Sequence, residues 1–313
     1  MEYVKLKNTD VAVSRFCMGG CPMGGYGWGE THEQDFIDAI HTALDAGVNF
    51  FDTADTYGLG QSELTLAKGL GNHRKDVVIQ SKFGVKAGRG KTVIDNSPAY
   101  IREALEGSLS RLGTDYIDIY VVHYWDEITP VADIVGELER LREAGKIRHF
   151  GISNIKKDAV KDWSPFKGEF VTAQYEFSLA CRLHEEEIKM ASDILGATPM
   201  TWGSLGQGIL TGKYGADVKF DDNDRRNRDA YINFHGEKLQ NNLRIVEQLK
   251  KVAAAHGKTC AATAIRFILD HLENSVVIAG IKNVAQMNSN LDSFGWKLDG
   301  AEMAMLDEVS MNE

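Results

Sequence analysis

The chain has 313 residues, 43% hydrophobic, 26% charged and 9% aromatic, with only 5 prolines; this composition supports a sizeable core and excludes disorder, collagen and coiled coil. The 45 acidic residues against 35 basic ones leave a net charge of −10. With no local basic patch to offset it, that charge argues against nucleic acid or an anionic membrane surface as a partner.

The N-terminal segment 1–10 lacks the apolar run of a signal peptide, and no later stretch reads as a membrane span, so a cytoplasmic protein is expected. Cys17, Cys21, Cys181 and Cys260 are scattered and read as reduced thiols. The close pair Cys17 and Cys21 has no second pair with which to complete a zinc site.

In chain order, segments 3–6 and 11–13, joined by Asn8-Thr9-Asp10, read as a small hairpin. A strand at 16–19 is followed by a Gly-rich stretch, then by a helix whose expected start is a Thr31/Gln34 capping box and whose apolar face is Ile37, Ile40 and Leu44. Strands follow at 49–52 and 77–82. Ser97-Pro98 opens a helix with Ile101, Leu105, Leu109 and Leu112 on one face, closed by Gly113. After a strand at 117–123, Thr129-Pro130 opens another helix, through Ile134, Leu138 and Leu141 to Gly145. Strands at 147–153, 171–175 and 198–203 come next, then an irregular, charge-rich stretch at 211–236 and a helix from Leu239 to Gly257. A strand at 276–279 and a short helix at 283–290 complete the pattern.

Eight strands with helices between them fit a closed (β/α)8 TIM barrel better than a doubly wound sheet. No linker or low-complexity segment interrupts the chain, so 1–313 reads as a single domain, with the hairpin closing the barrel bottom and a long loop after the seventh strand.

Barrel enzymes place their chemistry at the C-terminal ends of the strands. The polar residues there are Asp52, Lys82, His123, Ser153, Asn154 and Gln174, together with Trp202 and the Gly280 turn, and Tyr57 lies in the loop after Asp52. A tyrosine hydroxyl is a poor acid unless a cation favours its anion. Lys82 supplies that cation and is expected to lower the Tyr57 pKa, Asp52 keeps the lysine charged and aimed, and a neutral His123 orients a bound carbonyl. Such a set moves protons but supplies no electrons, so the redox partner is organic.

The segment Phe51-Asp52-Thr53-Ala54-Asp55-Thr56-Tyr57-Gly58, the Ser81-Lys82 and Val122-His123 strand ends, Gly151-Ile152-Ser153-Asn154, Gln174-Tyr175, 203–208 and Gly280-Ile281-Lys282 fall in an order that resembles the aldo-keto reductase superfamily, in its bacterial NADP-dependent branch. The resemblance spans essentially the whole chain. It implies reduction of an aldehyde or ketone by NADPH, with NAD(H) as a secondary cofactor and Tyr57, Lys82, Asp52 and His123 as the catalytic set. Ser153, Asn154 and Gln174 would bind the nicotinamide carboxamide, with Trp202, where relatives commonly carry tyrosine, stacking on the ring. Ser204, Leu205, Gln207 and Lys213 would approach the pyrophosphate under the long loop; Lys282 and Gln286 would take the 2′-phosphate beyond Gly280, and Asn290 the adenine. Ser289 stands where many relatives have glutamate.

Three Gly-containing segments carry no phosphate motif. The stretch 19–29 does not match G-x-G-x-x-G, and Gly90-Lys91-Thr92 and Gly257-Lys258-Thr259 have Val85 and Val252 where a P-loop needs glycine. The first stretch reads instead as a flexible loop, with Trp28, Tyr124 and Trp125 either walling a pocket for a modest apolar or sugar-like carbonyl or packing at the rim. Arg225, Arg226 and Arg228 read either as cofactor contacts or as a solvated loop, and Glu63 as a helix-dipole partner or a cofactor contact. Two rival readings stand beside the reductase: a nicotinamide-nucleotide-sensing regulatory subunit, and a glycosidase using Asp126 and Glu176.

Overall fold

The computed structural model describes residues 1–87 and 92–311; Gly90 and Lys91 of the rejected phosphate segment lie outside them. Eight parallel strands close into a barrel: β3 (Phe16–Gly19), β4 (Phe50–Asp52), β5 (Val78–Phe83), β8 (Ile117–Val122), β9 (Ile147–Ser153), β10 (Phe170–Glu176), β11 (Thr198–Trp202) and β12 (Val276–Gly280). These are the eight runs read from sequence, to within a residue or two. They are buried on both faces and so read as continuous apolar runs. The hairpin is β1 (Tyr3–Lys5) with β2 (Ala12–Ser14), and a second antiparallel pair, β6 (Val85–Ala87) with β7 (Thr92–Ile94), follows β5.

The outer layer consists of α1 (Glu33–Asp45), α2 (Gln61–Leu70), α3 (Pro98–Leu112), α4 (Val131–Glu143), the short α5 (Val160–Trp163), α6 (Glu185–Met190), α7 (Gly236–His256), α8 (Cys260–His271), α9 (Val284–Leu291) and α10 (Gly300–Met311). Ser97 caps α3 as its sequence predicts, accepting from the Tyr100 amide at 3.4 Å. Two expected starts differ. The residue preceding α1 is His32, and Gln34 reaches forward to Asp38 at 2.7 Å, so the capping box does not form. Thr129 does not cap α4 either, because its hydroxyl donates to Asp126 at 2.7 Å. No helix among the described residues is long and apolar enough to cross a membrane.

Two apolar layers result. One fills the space between barrel and helices; the other lies inside the barrel, where Cys17, Phe50, Ile119, Val121, Val171, Met200, Val276 and Ile278 pack, with Leu6 and Val13 of the hairpin joining them. Above this inner layer the inward positions turn polar. Register does this: Gly19 pairs with Asp52, Asp52 with Gln80, Lys82 with Val121 and Gln174 with Ser153, which brings the strand ends level.

Strand β10 carries an irregularity between Phe170 and Ala173. Val171 packs inside the barrel and Gln174 reaches Asp52, although residues three apart in a regular strand face opposite ways. The bulge restores a common inward face, re-aiming Gln174 toward the mouth.

Candidate active site

Asp52 and Lys82 project from adjacent strands and are 3% and 2% exposed. The Lys82 ammonium donates to both Asp52 oxygens, at 2.6 and 2.7 Å, to the Thr53 carbonyl at 2.9 Å, and to the Tyr57 hydroxyl at 3.3 Å. Burial pushes the Asp52 carboxyl up, opposed by Lys82 and by amide donors from Gln80 at 2.9 Å and Gln174 at 3.5 Å. Four side chains therefore hold one another, and a buried charge pair of this kind needs such saturation.

Gln80 is missing from the residues singled out in the sequence. It sits two positions before Lys82 on the same strand, so strand alternation puts both side chains inside the barrel.

Tyr57 meets the His123 ring edge-on, centroids 5.9 Å apart, and His123 stacks on Tyr124 at 5.0 Å. Burial, then the Asp52 charge, holds the Tyr57 hydroxyl well above its ordinary value. The expectation that Lys82 lowers it is thus overturned for the net effect, because burial and the Asp52 charge outweigh the neighbouring ammonium. The phenol stays protonated, the form in which it donates.

Burial, then the Lys82 charge, depresses His123 well below its ordinary 6.5. The ring is neutral at physiological pH, and its shielded Nδ1 has no hydrogen-bond partner among the described residues. Because the folded value lies below the unfolded one, His123 favours the folded state above about pH 6.5, and that contribution is lost as pH falls toward the folded value. Unfolding titrations at pH 7 and 5 should show this loss in the wild type and a smaller one in His123→Gln; equal losses would assign the acid sensitivity elsewhere.

The loop carrying Tyr57 is clamped by backbone. The Gly20 amide donates to the Asp52 carbonyl at 2.7 Å, and a Cβ on Gly58 would lie 2.1 Å from the Gly24 carbonyl oxygen. Glu63, in the first turn of α2, is fully buried; its carboxylate accepts from Ser81 and Arg111, both at 2.6 Å, so it also ties α2 to β5 and α3.

Next to this group lie the residues that the resemblance gives to the nicotinamide. Asn154, in a left-handed conformation (φ 57°), donates to Ser153 Oγ at 2.8 Å and to the His123 carbonyl at 3.2 Å, and accepts from the Trp202 indole at 3.1 Å. The Ser204 hydroxyl is spent within the barrel, on the Ile278 carbonyl at 3.0 Å and that of Thr201 at 3.1 Å. Leu205 packs on the outer core. Gln207, also left-handed, donates to Glu176 at 2.9 Å and accepts from Asn233.

At the end of β12, Gly280 faces Pro22, and a Cβ there would lie 2.9 Å from its ring. Lys282 donates to the Trp28 carbonyl at 2.6 Å, while its own amide is held by Gln286 at 2.9 Å. Burial and the charges of Arg226 and Lys213 depress the Lys282 ammonium, opposed by Asp224. Asp224, unremarked in the sequence, pairs with Arg226 at 2.6 Å. The Asn290 side chain is buried and its Nδ2 has no partner among the described residues. Cations that disfavour one another and an unspent buried donor fit a bound nucleotide phosphate and base.

Of the expected pocket residues, Trp28 lies edge-on to Tyr231 with centroids 6.1 Å apart, and Tyr124 is 39% exposed over His123. The recorded contacts of Trp125 are those of packing: its ring meets buried Trp163 and its indole donates to the Thr129 carbonyl at 2.9 Å. The glycosidase alternative loses its first carboxylate, because Asp126 is consumed by the amides of Asn96, Ile128 and Thr129 and by the Thr129 hydroxyl. A cleft of about 670 Å³ lined by Tyr3, His41, Asn49 and Asp76 lies at the opposite end of the barrel, beside the hairpin.

Residues 15–311 match the model of the Aldo/keto reductase family. The chain is 32% identical to aldo-keto reductase YhdN of Bacillus subtilis, an alignment covering 100% of this chain and 94% of that one. It is 29% identical to the NADH-specific methylglyoxal reductase of Escherichia coli, over 99% and 98% of the two chains. Among solved structures, a glycerol dehydrogenase from Gluconobacter oxydans superposes with a TM-score of 0.88 at 30% identity, over 98% and 94% of the chains.

Proposed function

Because this chain belongs to the aldo/keto reductase family, and is thus an oxidoreductase of carbonyl and alcohol groups using a nicotinamide cofactor, we propose that it reduces an aldehyde or ketone with NADPH and that Tyr57 delivers the proton. The observation that carries this reading is the Asp52–Lys82 pair, whose ammonium reaches the Tyr57 hydroxyl at 3.3 Å beside the neutral His123.

The dihydronicotinamide, when bound, supplies the hydride. Ser153, Asn154 and Gln174 would hold its carboxamide, and Trp202, its indole fixed by Asn154, would pack against the nicotinamide. The Tyr57 phenol gives its proton to the carbonyl oxygen as negative charge develops there. Lys82 then stabilises the phenolate left behind, and Asp52 keeps Lys82 protonated and aimed. His123 donates to the same oxygen and fixes its position; a positioned acid of this kind contributes roughly 10²–10⁴ in rate.

The preference for NADPH rests on Lys282, with Arg226 and Lys213 around it. Relatives are named for either nucleotide, NADH in one and NADP(+) in another, and these cations favour the phosphorylated one. They raise the local positive potential, and an ammonium disfavoured by its neighbours gains most from an anion. Lys282→Ala should weaken NADPH binding about tenfold to hundredfold, the usual worth of a charge-assisted hydrogen bond, and NADH binding far less. Quenching of tryptophan fluorescence reads both; equal weakening of the two nucleotides removes the phosphate from Lys282.

A further inference from the structure

Arg225 belongs to the loop between β11 and α7, and that loop is docked against the loop after β3. The Arg225 amide donates to the Gly27 carbonyl at 3.0 Å. Gly27 makes room for it: its φ is +78°, and a Cβ would lie 2.3 Å from Arg225 Cγ. The guanidinium lies 5.0 Å from the ring centre of Tyr26 and 6.0 Å from that of Trp28. Its neighbours are spent, Arg226 on Asp224 and Arg228 on the Tyr26 hydroxyl, each at 2.6 Å. Arg225 forms no ion pair with any described residue, and its Nε is shielded from solvent without a hydrogen-bond partner.

The cations of this end of the barrel also divide by position. Arg226 and Lys213 act on Lys282, whereas Arg225 opposes the upward shift of the Tyr57 hydroxyl and, together with Lys82, that of the Cys21 thiol. Its guanidinium, packed on Tyr26 and Trp28, thus acts on the reacting end of the site while lying beside the residue whose carbonyl holds Lys282.

Resting on the reductase reading above, we propose that Arg225 is a specificity-determining residue that receives the carboxylate of a carbonyl substrate, so that the preferred substrates are aldehydes or ketones bearing an acid group. A guanidinium offers parallel N–H donors that match a carboxylate in bidentate fashion. Held on aromatic faces, it is ordered before the ligand arrives, which lowers the cost of binding. A neutral substrate leaves this cation partly buried and unpaired, so the site discriminates against it.

The test compares para-carboxybenzaldehyde with para-nitrobenzaldehyde, using NADPH, in wild type and Arg225→Gln. Wild type should prefer the carboxylate in kcat/KM, and the variant should lose about tenfold to hundredfold more on it than on the nitro compound, chiefly through KM. Calorimetric titration with benzoate reads the same contact without turnover, and its affinity should fall by a like factor in Arg225→Gln. Equal losses on both aldehydes, benzoate affinity unchanged by the substitution, or no benzoate binding to wild type would overturn the proposal. So would weaker NADPH binding with the carboxylate preference intact, which would give Arg225 to the cofactor phosphates. If wild type reduces neither aldehyde, the reductase reading is at fault for these substrates, and the benzoate titration still decides the role of Arg225.

Discussion

Tyr57→Phe is expected to lower kcat for aldehyde reduction by about 10²–10⁴-fold, the contribution of a positioned general acid, with NADPH affinity within a few-fold of wild type. The substitution removes one oxygen and little else. The phenylalanine ring keeps the edge-on contact with His123 and remains under the Lys82 ammonium, which lies 4.9 Å from the tyrosine ring centre. Lys82 retains three acceptors, the two Asp52 oxygens and the Thr53 carbonyl, so the buried pair stays satisfied and the fold should hold. Stopped-flow measurement of the hydride step separates chemistry from cofactor release. Turnover close to wild type would move the proton to His123 or water and revive the nucleotide-sensing subunit as a reading of this barrel.

Asp52→Ala should produce the largest loss of stability, about 3–5 kcal/mol, because it strands a buried ammonium. Lys82 would keep only the Thr53 carbonyl and the Tyr57 hydroxyl, with 2% of its surface in contact with water. Urea unfolding should show a lower midpoint at unchanged slope, together with loss of activity. The double variant Asp52→Leu/Lys82→Met separates the two effects: replacing both charges with apolar groups should recover much of the stability while activity stays absent. A single variant as stable as wild type would mean that water enters the barrel mouth and solvates the lysine.

The barrel strands were legible because burial on both faces makes them short apolar runs, and the cluster at the barrel mouth because Asp52, Lys82 and His123 lie at the ends of adjacent strands, with Tyr57 in the loop after the first. Where the reading failed, the deciding contacts are remote in sequence or the local pattern is silent. Helix α8 escaped because 261–269 is buried all along and its polar stripe is thin, Thr263 and Arg266 being the polar side chains within that run. Alternation alone would not have aimed Gln174, since the bulge in β10 changes the face it shares. The loop 211–236 gave away its charge but not its use: only docking onto Gly27 distinguishes Arg225 from Arg226, one residue away.

The contact between Gly24 and Gly58 bears on how this site tolerates mutation. Two backbones cross there with no room for a side chain, one of them a single residue beyond Tyr57; a Cβ on Gly24 would in turn lie 2.6 Å from the Gly58 amide nitrogen. Glycine is usually read as licence for a loop to move. Here it permits two segments to touch, and the stretch read from sequence as flexible is part of the mould that sets the acid in place. The information at these two positions lies in the missing atom. A substitution scan would register them as sharply as the catalytic residues, although neither carries any chemistry, and a library aimed at altering substrate choice should vary Trp28 and Tyr124 while leaving both glycines untouched.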